Sequence, residues 1–116
     1  MTRPRKGSVV LVLFPNSDLT TAKRRPALVV QADKPATELD QVVVAMITSN
    51  LSRQGLPSRI RINKESEEGA ASGVLCDSII MTDNLATIRN VEIDKVIGSL
   101  TKMDAVDLGL RATFGL

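Results

Sequence analysis

The stretch KRRPALVV, residues 23–30, carries three cations straight into an apolar run. Pro26 stands where the two meet. A proline is best tolerated at the first residue of a strand, where its missing N–H matters least. The run PALVVQ therefore reads as a short strand with positive charge at its lip. The same kind of segment lies on either side. Upstream, GSVVLVLFP (residues 7–15) is a β-branched run that Pro15 ends. Downstream, QVVVAMIT (residues 41–48) is a strand apolar on both faces. Between them, NSDLTTAKRR and ADKPATELD are loops rich in turn formers.

The pattern continues towards the C-terminus. After the loop SNLSRQGLP, the segment SRIRIN alternates, so Ile60 and Ile62 point one way and Arg59 and Arg61 the other. This places two guanidinium groups side by side on an open sheet face. KESEEGAASG is acidic and glycine-bearing and reads as a mobile loop. VLCDSIIM reads as a further strand, LATI as a short one, and EIDKVIGSL as another. The last segment changes period. Met103, Val106, Leu110 and Phe114 recur at helical spacing, and Thr101 with Asp104 resembles a capping box. The expectation is a mainly β chain of roughly five to seven short strands, a small barrel, closed by a C-terminal amphipathic helix. Residues 1–6 read as a basic flexible arm in front of a single domain spanning residues 1–116.

Composition narrows the chemistry. The 116 residues are 43% hydrophobic and 24% charged, as expected of an ordinary soluble domain. No apolar run is long enough to span a bilayer as a helix, and no secretory signal is visible, so the expected location is the cytoplasm. There is no histidine, which excludes a Ser–His–Asp triad. The one cysteine, Cys76, leaves neither an internal disulfide nor a thiolate cluster for zinc; it reads as a small core residue. No glycine-rich phosphate loop is present. Having only Phe14 and Phe114 as aromatics counts against stacking platforms for single strands, but arginine can still clamp phosphates and stack on bases. The net charge is only +2, yet cations gather in residues 3–6, in residues 23–25, and at Arg53, Arg59, Arg61 and Lys64. A basic face of this kind suits a polyanion.

Arginine next to rigid structure is the feature that remains. Arg25 precedes Pro26, which biases it towards extended backbone and anchors it at a strand entrance. Thr48 ends the third strand just before Ser49 and Asn50. If the second and third strands are neighbours, Arg25 and Thr48 share one rim. Asp77 interrupts an apolar run, and Ser78 beside it adds a hydroxyl. Each of these has an ordinary structural reading: a surface cation, turn formers, an ion-pair partner.

Four blocks in order, GSVVLVLFPNSDLTTAKRRPALVVQ, VVVAMITSNLS, SGVLCDSIIMTDNLATI and VIGSLTKMDAVDLGLRATFGL, make residues 7–116 resemble the PemK/MazF family of toxin–antitoxin toxins. The resemblance implies an SH3-like barrel, a homodimer, and a sequence-specific, metal-independent endoribonuclease with no cofactor. It implies a cognate antitoxin as inhibitor, a single-stranded RNA substrate, no membrane, and DNA contact only through the antitoxin complex. It places Arg25 and Thr48 at the active site, joined in some branches by the position of Asp77. Lys23, Arg24, Ser49, Arg59, Arg61 and Ser78 would then track the RNA. This chain departs from the pattern at Ser8, where the family often has an acid, at Leu75, where some branches have arginine, and in lacking a histidine in the first loop. Two other readings stay open: a non-catalytic barrel that binds RNA or protein, and a toxin of this fold that poisons a protein such as a topoisomerase.

Overall fold

The apolar runs pair as antiparallel strands. The computed structural model describes residues 4–15, 22–33 and 39–116. Among the described residues the elements are β1 (Ser8–Pro15), β2 (Ala22–Val29), β3 (Gln41–Thr48), β4 (Arg59–Ile62), α1 (Glu67–Ser72), β5 (Ser78–Arg89), β6 (Ile93–Ser99) and α2 (Asp104–Phe114). The strands form one sheet in the order β4-β5-β3-β2-β1-β6. The start of the expected arm and the loop positions 16–21 and 34–38 lie outside the described residues.

Because side chains alternate along a strand, each central strand feeds two cores. Val9, Leu28, Ala45, Ile47 and Ile80 belong to one cluster, which Val106 of α2 also enters. Val10, Val12, Ala27, Val29, Val44 and Met46 belong to the other. Burial on both sides explains why β1, β2 and β3 read as continuous apolar runs. Gly109 lets α2 approach the sheet closely. A Cβ there would come within 2.8 Å of Ile60 Cδ1 and Thr82 Oγ1.

The sheet does not close by strand pairing, since β4 and β6 are its two edges. Helix α1 lies against β6 instead. A Cβ on Gly98 would stand 2.3 Å from the carbonyl oxygen of Ala71, and one on Gly73 2.3 Å from that of Ile97. Backbone meets backbone here, and only glycine fits.

Several expectations need correction. The second strand does not begin at Pro26: β2 already includes Ala22–Arg25, which pair with β1, so the cations expected in a loop lie within the strand. KESEEGAASG is not a loop but contains α1. Ser66 accepts the Gly69 N–H at 3.0 Å as N-cap, Glu67 and Glu68 occupy the first turn, and Gly73 ends the helix in the left-handed region at φ 79°. VLCDSIIM and LATI are not two strands. They belong to one strand, β5, which starts only at Ser78. Its register against β3 jumps from Ala45↔Leu85 to Met46↔Met81, so Thr82, Asp83 and Asn84 bulge out between the halves. Cys76 therefore precedes the strand and is exposed, not a core residue. The capping box at Thr101 and Asp104 does not form; the N-cap is Met103, with no side-chain bond. Phe114 leaves the apolar stripe and is exposed. The arm is tied down where it is described. Lys6 donates its N–H to Asp33 Oδ1 at 2.8 Å and pairs through Nζ with Asp107 at 3.2 Å.

Candidate active site

β2 and β3 part company at Pro26. Val30 donates its N–H to the carbonyl of Val43, so the even-numbered residues of β2 turn their amides towards β3. Leu28 pairs with Ala45 in that series, and Ala27↔Met46 is the last pair of the ladder. Pro26 would come next, and it has no N–H to give. Beyond it β2 stays with β1, through Arg25↔Val12 and Arg24↔Leu13. β3 stays with β5, through Ile47↔Ile80 and Thr48↔Ile79. A cavity of about 450 Å³ lies at this fork.

Counting on by two residues from Ala27↔Met46 reaches Arg25 and Thr48, one on each arm of the fork. Both line the cavity, together with Lys23, Arg24, Ser49 and Ser78. The residues from Gly73 to Cys76 form another wall, and Lys95 and Ile97 of β6 complete it. Among the described residues none that lines it is acidic. Thr48 Oγ1 accepts the Asn50 N–H at 3.1 Å, and Asn50 Oδ1 in turn accepts the Ser52 N–H at 3.1 Å. These bonds leave the Thr48 hydroxyl proton free to donate outwards. Ser78 differs: it is buried, and its hydroxyl donates to the Cys76 carbonyl at 2.9 Å. It can therefore offer a ligand only an acceptor. Arg24 is held by Asp94 at 3.3 Å, with both side chains substantially exposed. Among the described residues neither Lys23 nor Arg25 forms an ion pair.

The structure separates the other expected residues from this cavity. Arg59 and Arg61 do not stand as a free pair on an open face. Arg59 makes a two-pronged contact to Asp83, at 2.7 and 2.8 Å, and donates to the Arg53 carbonyl at 2.8 Å. The bond between them raises the Arg59 guanidinium above its ordinary value and lowers the Asp83 carboxyl below its own. Arg61 donates to Asn63 Oδ1, Gln54 Oε1 and Asp77 Oδ2 at 2.7, 3.2 and 3.2 Å. Asp77 has its other oxygen on the Lys64 N–H at 2.8 Å. Both its oxygens are engaged, and it is not among the residues lining the cavity. What Asp77 does is pin the segment that carries the cavity wall to the end of β4. Sequence reasoning missed Lys95. Its alternation partner Ile97 on β6 was the only sign that the two share a face.

Residues 5–114 match the family described as PemK-like, MazF-like toxin of type II toxin–antitoxin system. The chain is 30% identical over 107 residues to endoribonuclease MazF2 of Mycobacterium bovis, covering 90% of each. The same figures hold for endoribonuclease MazF6 of Mycobacterium tuberculosis. The fold superposes on a mycobacterial endoribonuclease in complex with its cognate antitoxin. That match has a TM-score of 0.74 and 20% identity, and covers 97% of this chain and 96% of that one.

Proposed function

This chain belongs to the PemK-like, MazF-like toxins of type II toxin–antitoxin systems and is an endoribonuclease, and we propose that it cuts single-stranded RNA at defined sequences through the RNA's own 2′-hydroxyl, without a metal. The observation that carries this reading is the fork between β2 and β3. There Arg25 and Thr48 line a cavity that, among the described residues, carries four cations and no acid.

In this reaction the 2′-oxygen attacks the adjacent phosphorus and loses its proton. The bond to the 5′-oxygen breaks, and that oxygen takes up a proton. The products are a 2′,3′-cyclic phosphate and a 5′-hydroxyl end. DNA lacks the nucleophile, which makes RNA the substrate. As charge builds on the phosphoryl oxygens, Arg25 supplies a planar fork of paired donors. The Thr48 hydroxyl, oriented by Asn50, donates to the same phosphate. Lys23 and Ser49 meet the flanking backbone, where contacts position without reading sequence. Arg59, Arg61 and Asp77 act through the fold, holding β4 and the cavity wall in place.

The partner is a cognate antitoxin, whose acidic segment would cover the same cations. The chain works as a homodimer in the cytoplasm. Exposed Leu108, Phe114 and Leu116 at the end of α2 supply apolar surface suited to such a contact. A one-chain mass in solution refutes the dimer.

The test is a long defined RNA incubated with purified protein in EDTA, beside Arg25→Ala. Discrete fragments with 5′-hydroxyl ends, absent in a folded Arg25→Ala, are the expected result. Intact RNA with binding retained makes the chain a non-catalytic binder. Equal cleavage by Arg25→Ala removes Arg25 from the site.

A further inference from the structure

We propose that Lys95 of β6 is an RNA phosphate contact of the same site, forming the far end of the track that begins at Lys23 and Arg25. This rests on the cavity being the RNA site. β1 lies between β2 and β6, and its residue Leu11 pairs with Pro26 on one side and Lys95 on the other. Opposed residues share a face, and all three line the cavity. Two strand spacings, about 10 Å, separate the backbones of β2 and β6. Lys23 and Arg25 alternate with Pro26 and leave β2 on its other face, but β2 is parted from β3 here, and Lys23, Arg25 and Lys95 are all long, exposed and part of the cavity lining. One RNA strand crossing the cavity can therefore touch all three.

The charges around Lys95 favour the same role. Its neighbour Asp94 is turned to Arg24 at 3.3 Å, which neutralises that cation. Lys95 itself forms no ion pair among the described residues. Among the described residues the cations that line the cavity without an ion pair are thus Lys23, Arg25 and Lys95. Lysine on an edge strand such as β6 also discourages edge-to-edge pairing. That role has no dependence on RNA, and the test separates the two.

The experiment measures binding of labelled 2′-fluoro RNA, which lacks the nucleophilic hydroxyl, across a range of salt concentrations. Wild type, Lys95→Ala, Lys95→Arg and Lys102→Ala are compared. Lys102 is exposed in the connection before α2 and does not line the cavity. The assignment expects Lys95→Ala to weaken binding evenly across RNA sequences and to flatten the salt slope by about 0.7. Lys95→Arg should restore the slope, and Lys102→Ala should leave it at the wild-type value. A wild-type slope in Lys95→Ala overturns the assignment, and so does an equal change in Lys102→Ala. If wild type cuts RNA in the cleavage assay, either result condemns Lys95 alone. If wild type neither cuts nor binds, the functional reading falls and the assignment with it.

Discussion

Arg25 of β2 and the two arginines of β4 sit in similar surroundings and end in opposite states, while Arg24 is tied to Asp94 as the β4 pair is to its acids. Arg59 and Arg61 alternate with isoleucines on a short edge strand, and Arg24 and Arg25 lead into the apolar run of β2. Asp83 and Asp77 wait opposite the β4 pair, delivered by the bulge in β5 and by the turn before it. Around Arg25 the fork in the sheet brings together lysines, hydroxyls and aliphatic side chains, with no carboxylate among the described residues that line it. A guanidinium that has its acid becomes a structural tie. One that lacks it keeps its donors for a ligand. What separates a tie from a site here is the partner supplied by a distant part of the chain.

This contrast predicts a graded set of outcomes. The largest is the loss of cleavage in Arg25→Ala. Removing one placed donor to a developing oxyanion lowers turnover about 100- to 1,000-fold, while thermal melting stays at the wild-type value because no ion pair is lost. A shifted melting temperature would make Arg25 a structural tie as well. Next in size is the accessibility of Cys76, the single cysteine, which is exposed on the cavity wall. Maleimide labelling of this thiol should slow severalfold when RNA is bound; equal rates with and without RNA would place the RNA elsewhere.

Arg59→Ala should do the reverse of Arg25→Ala. It removes a two-pronged ion pair and leaves Asp83 without its partner, so denaturant unfolding should show a loss of about 1 kcal/mol, a partly exposed pair being screened by solvent. Cleavage by the folded variant should match wild type. A large loss of cleavage without loss of stability would return Arg59 to the RNA track. The smallest effect is in pH. Arg59 holds the Asp83 carboxyl below its ordinary value, so the folded state binds that proton less readily than the unfolded chain. The pair's contribution is then fully present above about pH 4, the ordinary carboxylate value, and is lost as pH falls through the lowered value. The stability gap between wild type and Asp83→Asn should hold steady from neutral pH to about 4 and close below it. A gap that persists in stronger acid would assign the difference to packing.

Much of the fold could be read directly from local pattern. The β-branched runs of β1 and β3 and the helical spacing of Met103, Val106 and Leu110 are local signals, and they appear as expected; the run of β2 is a strand too, but it begins at Ala22, inside the expected loop. Helix α1 was legible too, since Ser66 and Gly73 are ordinary cap residues. It was hidden by the loop-like look of its glutamates and glycines. The single strand β5 was not legible, because Thr82, Asp83 and Asn84 are turn formers, and only pairing on both sides makes them a bulge inside one strand.

For the site, the chain itself determined that Arg25 stands before a proline that heads an apolar run and that Thr48 ends an apolar strand. It also determined that any chemistry proceeds without histidine. These are properties of neighbours in sequence. Only the tertiary structure decided which cations are free. The fork between β2 and β3 put Arg25 and Thr48 on its two arms, β6 brought Lys95 to the cavity, and Asp77 and Asp83 took Arg61 and Arg59. The physical reason is that a charge's role depends on what lies within a few ångströms of it. Here those neighbours come from strands far apart along the chain.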